Sequence, residues 1–377
     1  MDFYTNVAQY GNNLLIREVK NGQRVNSKLK YKPTMFVPVK EKTNWRTLDG
    51  GYAYPYQHKS IKECKEWFEG FDKLQRHNIY GNMFHAYSYI STQYPSEVNW
   101  DMDKILMITI DIEVQCENGF PDPEKAIEPI LSITIKNHQN KRIMVWGIGE
   151  FVNRRDDVGY VKCKNEEELI HEFLTFWEKT QPDIITGWNT EFFDIPYLYN
   201  RIMNFNEKDI KRLSPWGNVY SRDVYKMGRT HQVIDISGVA HLDYFDLYRK
   251  FTYTNQESYR LDHIAFVELG EKKESNPYET FKDWYTKDYQ SFIEYNITDV
   301  ELVDKLEDKM KLIELALTMA YDAKVNYEDV FYQVRMWDTI IYNYLKRRDI
   351  VIPPKERSDK SDKYAGCLLY TSDAADE

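Results

Sequence analysis

This sequence predicts an α/β fold built around one sheet, and three observations carry that expectation. Three β-branched, apolar runs, "ILMITIDIEV", "PILSITIK" and "KRIMVWGI", follow one another with connections short enough for antiparallel neighbours. After them helical and strand patterns alternate, the order of a sheet covered by helices. The chain has 377 residues, 42% hydrophobic and 29% charged, enough for two domains of ordinary size with their own cores.

Taken in order, residues 1 to about 103 read as short strands and one helix. "NNLLIREVKNGQRV" has the form of a hairpin with Asn21-Gly22 at the turn. "SIKECKEWFEGFDKL" repeats apolar residues at helical spacing. "EEELIHEFLTFWEKTQ" places Leu169, Phe173, Phe176 and Trp177 on one helical face. "PDIITGW" is a short buried strand, and "IPYLYNRIM" opens a helix with Pro196 near its first turn. "VAHLDYFDLY" reads as another strand end, and "KDYQSFIEYNITDVELVDKLEDKMKLI" as a long helix. Three antiparallel strands followed by alternating helices and strands is the order of a ribonuclease H-like α/β sheet. Beyond Leu312 the chain stays helical, until "IVIPPKERSDKSDKY" reads as a linker.

No run is long and apolar enough for a membrane span, and the start lacks the regions of a signal peptide. Cys64, Cys116, Cys163 and Cys367 are scattered without metal-ligand spacing, so reduced thiols in a cytosol-like compartment are expected. A net charge of −10 argues against indiscriminate coating of nucleic acid. One basic island breaks the acidic trend: Lys208, Lys211, Arg212, Arg222, Lys226 and Arg229 against Asp209 and Asp223. It reads either as a solvated loop or as a local cleft.

The strand "MITIDIEVQ" poses the chemical question. Strand alternation projects Asp111 and Glu113 from one face, roughly 6–7 Å apart. Two such anions on a mostly buried sheet repel. A basic side chain, an exposed wet edge or a metal ion would relieve them. Asp194 stands where "GWNTEFFDIP" passes from strand to helix. Asp299 lies in the long helix, with Tyr295 four residues before it on the same face.

Asp-x-Glu on a strand, "NTEFFD" (Asn189 to Asp194) and "YNITD" (Tyr295 to Asp299) resemble the three exonuclease motifs of family B DNA polymerases, closest to those of tailed phages. "YKPTMFVP", "NGFPDP", "RLSP", "LDYFDLYRKFT", "NQESYRLDHIA" and "WDTIIYN" extend the resemblance over nearly the whole chain. The resemblance implies a DEDD 3′–5′ exonuclease that hydrolyses phosphodiesters with two Mg²⁺ (or Mn²⁺) ions. Carboxylate oxygens suit such hard cations. It implies that Asp111, Glu113 and Asp299 hold the metal that activates water, that Asp111 also bridges to the second ion, and that Asp194 binds through the outer shell. Tyr295 would position the attacking water; a core tyrosine is the other reading. Phe120 resembles an aromatic wedge against a frayed base, or else a turn residue tucked inward. Asn189 resembles a contact near the primer terminus, with Phe193 beside it in the motif. Arg212, Arg222, Lys226 and Arg229 belong to a segment resembling a strand-separating β-hairpin, with phosphate contacts that carry no sequence information.

The implied organisation is an N-terminal domain in two parts, α+β and discontinuous (residues 1–103 and the helices of 312–352), around an exonuclease domain at 104–311. Residues 353–366 would lead toward a palm, whose motifs are absent; Tyr364 and Gly366 in "KYAG" resemble a template-contacting linker. The tail 367–377, "CLLYTSDAADE", departs from the family and resembles a translated sequencing adapter, or else a divergent natural terminus. Expected partners are single-stranded and primer-template DNA. RNA at the N-terminal domain is a further expectation, as are a sliding clamp and a single-strand-binding protein for the parent polymerase, in the cytoplasm of an infected bacterium. A stand-alone exonuclease and a non-catalytic nucleic-acid-binding module are the rival readings.

Overall fold

The computed structural model describes residues 2–71, 76, 78–117, 119–226, 228–271 and 276–355. Tyr364, Gly366, Cys367 and the segment 367–377 lie outside the described residues.

The chain opens with a three-stranded antiparallel sheet, β1 (Phe3–Tyr10), β2 (Asn13–Lys20) and β3 (Gln23–Lys30). Asn21 and Gly22 take φ of 51° and 76°, the left-handed pair that a two-residue hairpin needs. A second small sheet uses β4 (Thr34–Val39), β5 (Trp45–Thr47) and β6 (Tyr52–Gln57), and two helices follow, α1 (Ile61–Glu69) and α2 (His85–Gln93).

The central sheet comes next. It contains β7 (Met107–Val114), β8 (Ile130–Asn137), β9 (Ile143–Gly147), β10 (Val158–Lys162), β11 (Ile184–Thr186) and β14 (Ala240–His241) in the order β10-β9-β8-β7-β11-β14. β8 is antiparallel to both β7 and β9, whereas β11 and β14 run parallel to β7. This is the ribonuclease H-like arrangement, with β10 added in parallel on the outer edge. The sequence patterns missed β10, a half-exposed edge strand interrupted by Gly159.

Helices cover both faces. On one side lie α3 (Glu166–Thr180) and α4 (Asp194–Asn206), where Phe173, Trp177, Ile195 and Leu198 pack with Ile108, Ile110 and Ile112. Asn165 caps α3 by accepting from the Glu168 N–H, and three glutamates fill its first turn, where the helix dipole favours them. A hairpin of β12 (Val219–Lys226) and β13 (Arg229–Ile236) leads into β14 and α5 (Tyr244–Phe251). "VAHLDYFDLY" is thus strand only at Ala240–His241. Asp243 accepts from the Phe245 N–H, which turns the following residues into a helix.

On the other side lie α6 (Leu261–Leu269), α7 (Phe281–Lys287) and the long α8 (Tyr289–Met310). Phe292, Ile293 and Ile297 of α8 pack on Leu131, Ile143 and Val145. α9 (Leu312–Ala323), α10 (Gln333–Lys346) and β15 (Ile350–Val351) then return to the first hundred residues. Tyr321 donates to the Tyr4 carbonyl at 2.9 Å, and β15 pairs in parallel with β5.

One buried ion pair ties the first sheet to the central one. Arg17 lies 3.0 Å from Asp183 and donates to the carbonyls of Gln181, Pro182 and Gly238. Each guanidinium donor finds an acceptor, which is what a buried arginine requires.

Candidate metal centre

Strand β7 outruns its neighbour. β11 covers it only from Met107 to Thr109, so the backbone edge beyond lacks a parallel partner there. The Ile112 N–H on that stretch donates to Asp194 Oδ1 at 2.9 Å, and Asp194 begins α4. Gly187 makes the close passage possible: a Cβ there would sit 2.5 Å from the Ile110 carbonyl oxygen. The site therefore opens between β7 and β11, where the order of connections reverses and α/β sheets commonly bind ligands.

Ile110, Ile112 and Val114 are buried, while Asp111 and Glu113 between them are half-buried on the opposite face of β7. That face lies under α8, whose Asp299 is 7% exposed. Asp111, Glu113 and Asp299 each offer a carboxylate oxygen, and these atoms all lie within 4.8 Å of one another. Three carboxylates this close repel strongly unless a cation shares them. All-oxygen donors of this charge fit a hard divalent ion such as Mg²⁺ or Mn²⁺.

Asp194 stands apart from this trio, buried at the mouth of α4. Burial pushes its carboxyl up to about 7, against the pull of its backbone hydrogen bonds, and the charge of Asp299 adds to the rise.

Tyr295 is half-buried one turn before Asp299. Its ring meets Trp284 of α7 edge-to-face, with centroids 4.7 Å apart. Trp284 is itself buried and donates to Ser291 Oγ at 2.7 Å. Neither Trp284 nor Asn296, whose Nδ2 lies 2.5 Å from Asp111 Oδ2, was singled out from the sequence. A polar residue on the buried face of α8, among Phe292, Ile293 and Ile297, was the available signal for Asn296.

Near Asp194, Phe120 is 82% exposed and its ring lies 5.0 Å from that of half-buried Phe193, so the tucked-in reading of Phe120 does not hold. Asn189 has φ 64°, a left-handed conformation asparagine tolerates, and its N–H donates to Asp243 Oδ1. Half of the basic island is neutralised by ion pairs. Arg212 pairs with Glu178 on α3, Arg222 with Asp235 across the hairpin, and Lys226 with Asp246 and Glu191. Arg229 donates to the His231 ring at 3.2 Å. The segment is a folded hairpin laced with ion pairs, which corrects the reading of it as a solvated loop.

Residues 81–264 match the family described as DNA polymerase family B, exonuclease domain. The matched span contains Asp111, Glu113 and Asp194, while Tyr295 and Asp299 follow it. The chain is 34% identical to the DNA-directed DNA polymerase of Escherichia phage RB69 and 32% identical to that of Enterobacteria phage T4, over 98% of its own length in each case. It spans only 44% of either relative. A more distant match, 29% identical over 68% of the chain, is DNA polymerase 1 of Sulfurisphaera ohwakuensis. With similarity to the phage polymerases along nearly all of the chain, residues 81–264 are a DNA polymerase family B exonuclease domain.

Proposed function

We propose that the chain is a 3′–5′ proofreading exonuclease unit, releasing 5′-mononucleotides from the 3′ ends of DNA. The observation that carries this reading is the convergence of Asp111 and Glu113, within the span matching the family B exonuclease domain, with Asp299 beyond it.

On this reading Asp111, Glu113 and Asp299 would hold the divalent metal, two Mg²⁺ or Mn²⁺ ions in all, and Asp194 would act from outside that ligand set. Bound metal supplies a nucleophilic water near neutral pH and offsets the charge that builds on the phosphate and the leaving oxygen. The chain's own residues do the rest. Tyr295, its ring held by Trp284, presents its hydroxyl toward the attacking water and positions it. Phe120 and Phe193 offer a stacking surface to an unpaired terminal base, which every base can use because each has a π face. Asn189 borders the same end of α4. The paired cations Arg222 and Lys226 reach phosphates only by exchanging carboxylate partners, Arg229 must first leave the His231 ring, and Arg212 is committed to α3, so their share in DNA binding is modest.

The return of β15 to β5 and of Tyr321 to Tyr4 supports an N-terminal domain assembled from 1–103 and 312–352 around the exonuclease domain of 104–311. Through the resemblance, the proposal extends to primer-template DNA, a sliding clamp and a single-strand-binding protein as replication partners, RNA at the N-terminal domain, and a bacterial host's cytoplasm as the place of action.

The test is digestion of a 5′-labelled single-stranded oligonucleotide in Mg²⁺ or Mn²⁺. A ladder shortened from the 3′ end and abolished by EDTA is expected. DNA binding without cleavage would favour the non-catalytic module.

A further inference from the structure

Asn296 is fully buried on α8, three residues before Asp299, and nothing in the mechanism above uses it. Its Nδ2 donates to Asp111 Oδ2 at 2.5 Å. Its Oδ1 accepts from Ser132 Oγ at 2.9 Å and from the Thr134 hydroxyl. Ser132 and Thr134 are fully buried and two residues apart on β8, so they share a face. They are also the cross-strand partners of Glu113 and Asp111 respectively. A closed set results: two acidic residues on β7, two hydroxyls opposite them on β8, and one amide from α8 between.

Its chemistry is directional. An ionised carboxylate accepts hydrogen bonds and cannot donate, so only the NH₂ end of the amide can face Asp111. The carbonyl end must then face β8, where two hydroxyls can donate to it. Flipping the amide would set its oxygen against a carboxylate oxygen, two acceptors at hydrogen-bond distance. The hydroxyl pair therefore fixes the amide, and the amide fixes the Asp111 carboxylate through its Oδ2.

We propose that Asn296, oriented by Ser132 and Thr134, is a positioning residue that holds the Asp111 carboxylate in the rotamer that binds divalent cation. The inference rests on the metal-site reading above. Hydrogen-bonded partners behind metal ligands typically carry about 10- to 100-fold in metal affinity.

The experiment is a Mn²⁺ titration of the full chain without DNA, reading free Mn²⁺ by electron paramagnetic resonance, with a thermal melt of every variant. Asn296→Ala should weaken Mn²⁺ binding by about 10- to 100-fold. Ser132→Ala with Thr134→Val leaves Asn296 and its surroundings in place but frees the amide to turn, and should weaken binding in the same direction by a smaller factor. This double variant keeps the test valid if Asn296→Ala fails to fold. Asp111→Ala separates the two layers. If it binds Mn²⁺ as well as the parent chain, the metal-site reading itself falls. If it loses Mn²⁺ while both other variants bind like the parent, whatever their melting temperatures, the positioning role is overturned and the metal site stands.

Discussion

Two acidic sites share helix α8 and one face of the β7–β8 pair, and they are built in opposite ways. Five residues beyond Asp299, Asp304 is 2% exposed and surrounded by donors: Lys136 at 3.0 Å, Lys141 at 2.9 Å and His138 Nδ1 at 2.9 Å. His138 in turn meets Thr109 Oγ1 at 3.0 Å, so a Thr-His-Asp sequence of contacts runs from sheet to helix. It has the outline of a nucleophilic triad, but Thr109 is 1% exposed and no substrate reaches it. At the other end, the acidic oxygens of Asp111, Glu113 and Asp299 crowd within 4.8 Å of one another, with a neutral amide for a neighbour. A buried charge that the fold itself neutralises is architecture. A cluster of like charges left near an open edge is a place for a ligand. The first site clamps the helix to the sheet, and the second uses the register so obtained.

The strongest test of this contrast is Asp111→Ala combined with Glu113→Ala. Exonuclease activity should fall about 1,000-fold or more, since metal assistance is worth several kcal/mol and each ~1.4 kcal/mol is tenfold. In EDTA the variant should melt close to the parent, because relief of the repulsion between two anions offsets the loss of the Asp111 acceptor for the Asn296 amide. A large drop in melting temperature would make this cluster structural after all and erase the comparison.

Asp304→Asn should do the reverse. It strands the buried Lys136 against a neutral amide, a loss of about 3–5 kcal/mol by analogy with other broken buried pairs, while exposed Lys141 keeps Asp308. Metal-dependent turnover per folded molecule, measured well below the new melting point, should stay within a few-fold of the parent. A variant that melts like the parent would show that Asp304 is not the clamp.

The same residue sets an acid limit. Burial raises the Asp304 carboxyl, but the hydrogen bonds and charges of His138, Lys141 and Lys136 outweigh it and hold the group well below the usual carboxylate range. With the folded value depressed, its stabilisation is fully present above the unfolded pKa near 4 and is lost as pH falls below that. Between pH 5 and 3 the parent should lose melting temperature more steeply than Asp304→Asn, as thermal scans would reveal. Parallel slopes would count against the assignment.

How much of this was legible beforehand follows the physics of each feature. Strand alternation and helical spacing are local, so the shared faces of Asp111 with Glu113 and of Tyr295 with Asp299 could be read directly, as could the Asn21-Gly22 turn. What joins them is not local. Asn296 reaches Asp111 across 185 positions, and Lys141 reaches Asp304 across 163. No window of sequence contains both partners. The basic island misled for the same reason. Arg212 and Lys226 look like spare charge along the chain until α3 and α5 bring Glu178 and Asp246 to them. The strand assigned to "DYFDLY" failed locally, because Asp243 is a helix cap whose carboxylate also takes the N–H groups of Asn189 and Glu191 from the neighbouring turn.

The smallest effect and the finest probe concern Tyr295, which stands between the two kinds of site. Its ring is part of the packing, edge-on to Trp284 and adjoining the core beneath α8. Its place one turn before Asp299 puts it on the same helical face as that carboxylate. Tyr295→Phe keeps the ring and removes one oxygen. If the hydroxyl positions water, kcat should fall about 10- to 100-fold, on the order of 1.4–2.8 kcal/mol, while Mn²⁺ affinity and melting temperature stay put. If the residue only packs, turnover should survive and stability alone should move. Trp284→Phe distinguishes the remaining case, in which the ring must be held for the hydroxyl to act. It should lower kcat in the parent but add little in the Tyr295→Phe background, because two residues that work through one hydroxyl are not additive. Additive losses would mean that Trp284 serves the fold of α7 and α8 and leaves the placement of Tyr295 to the helix alone.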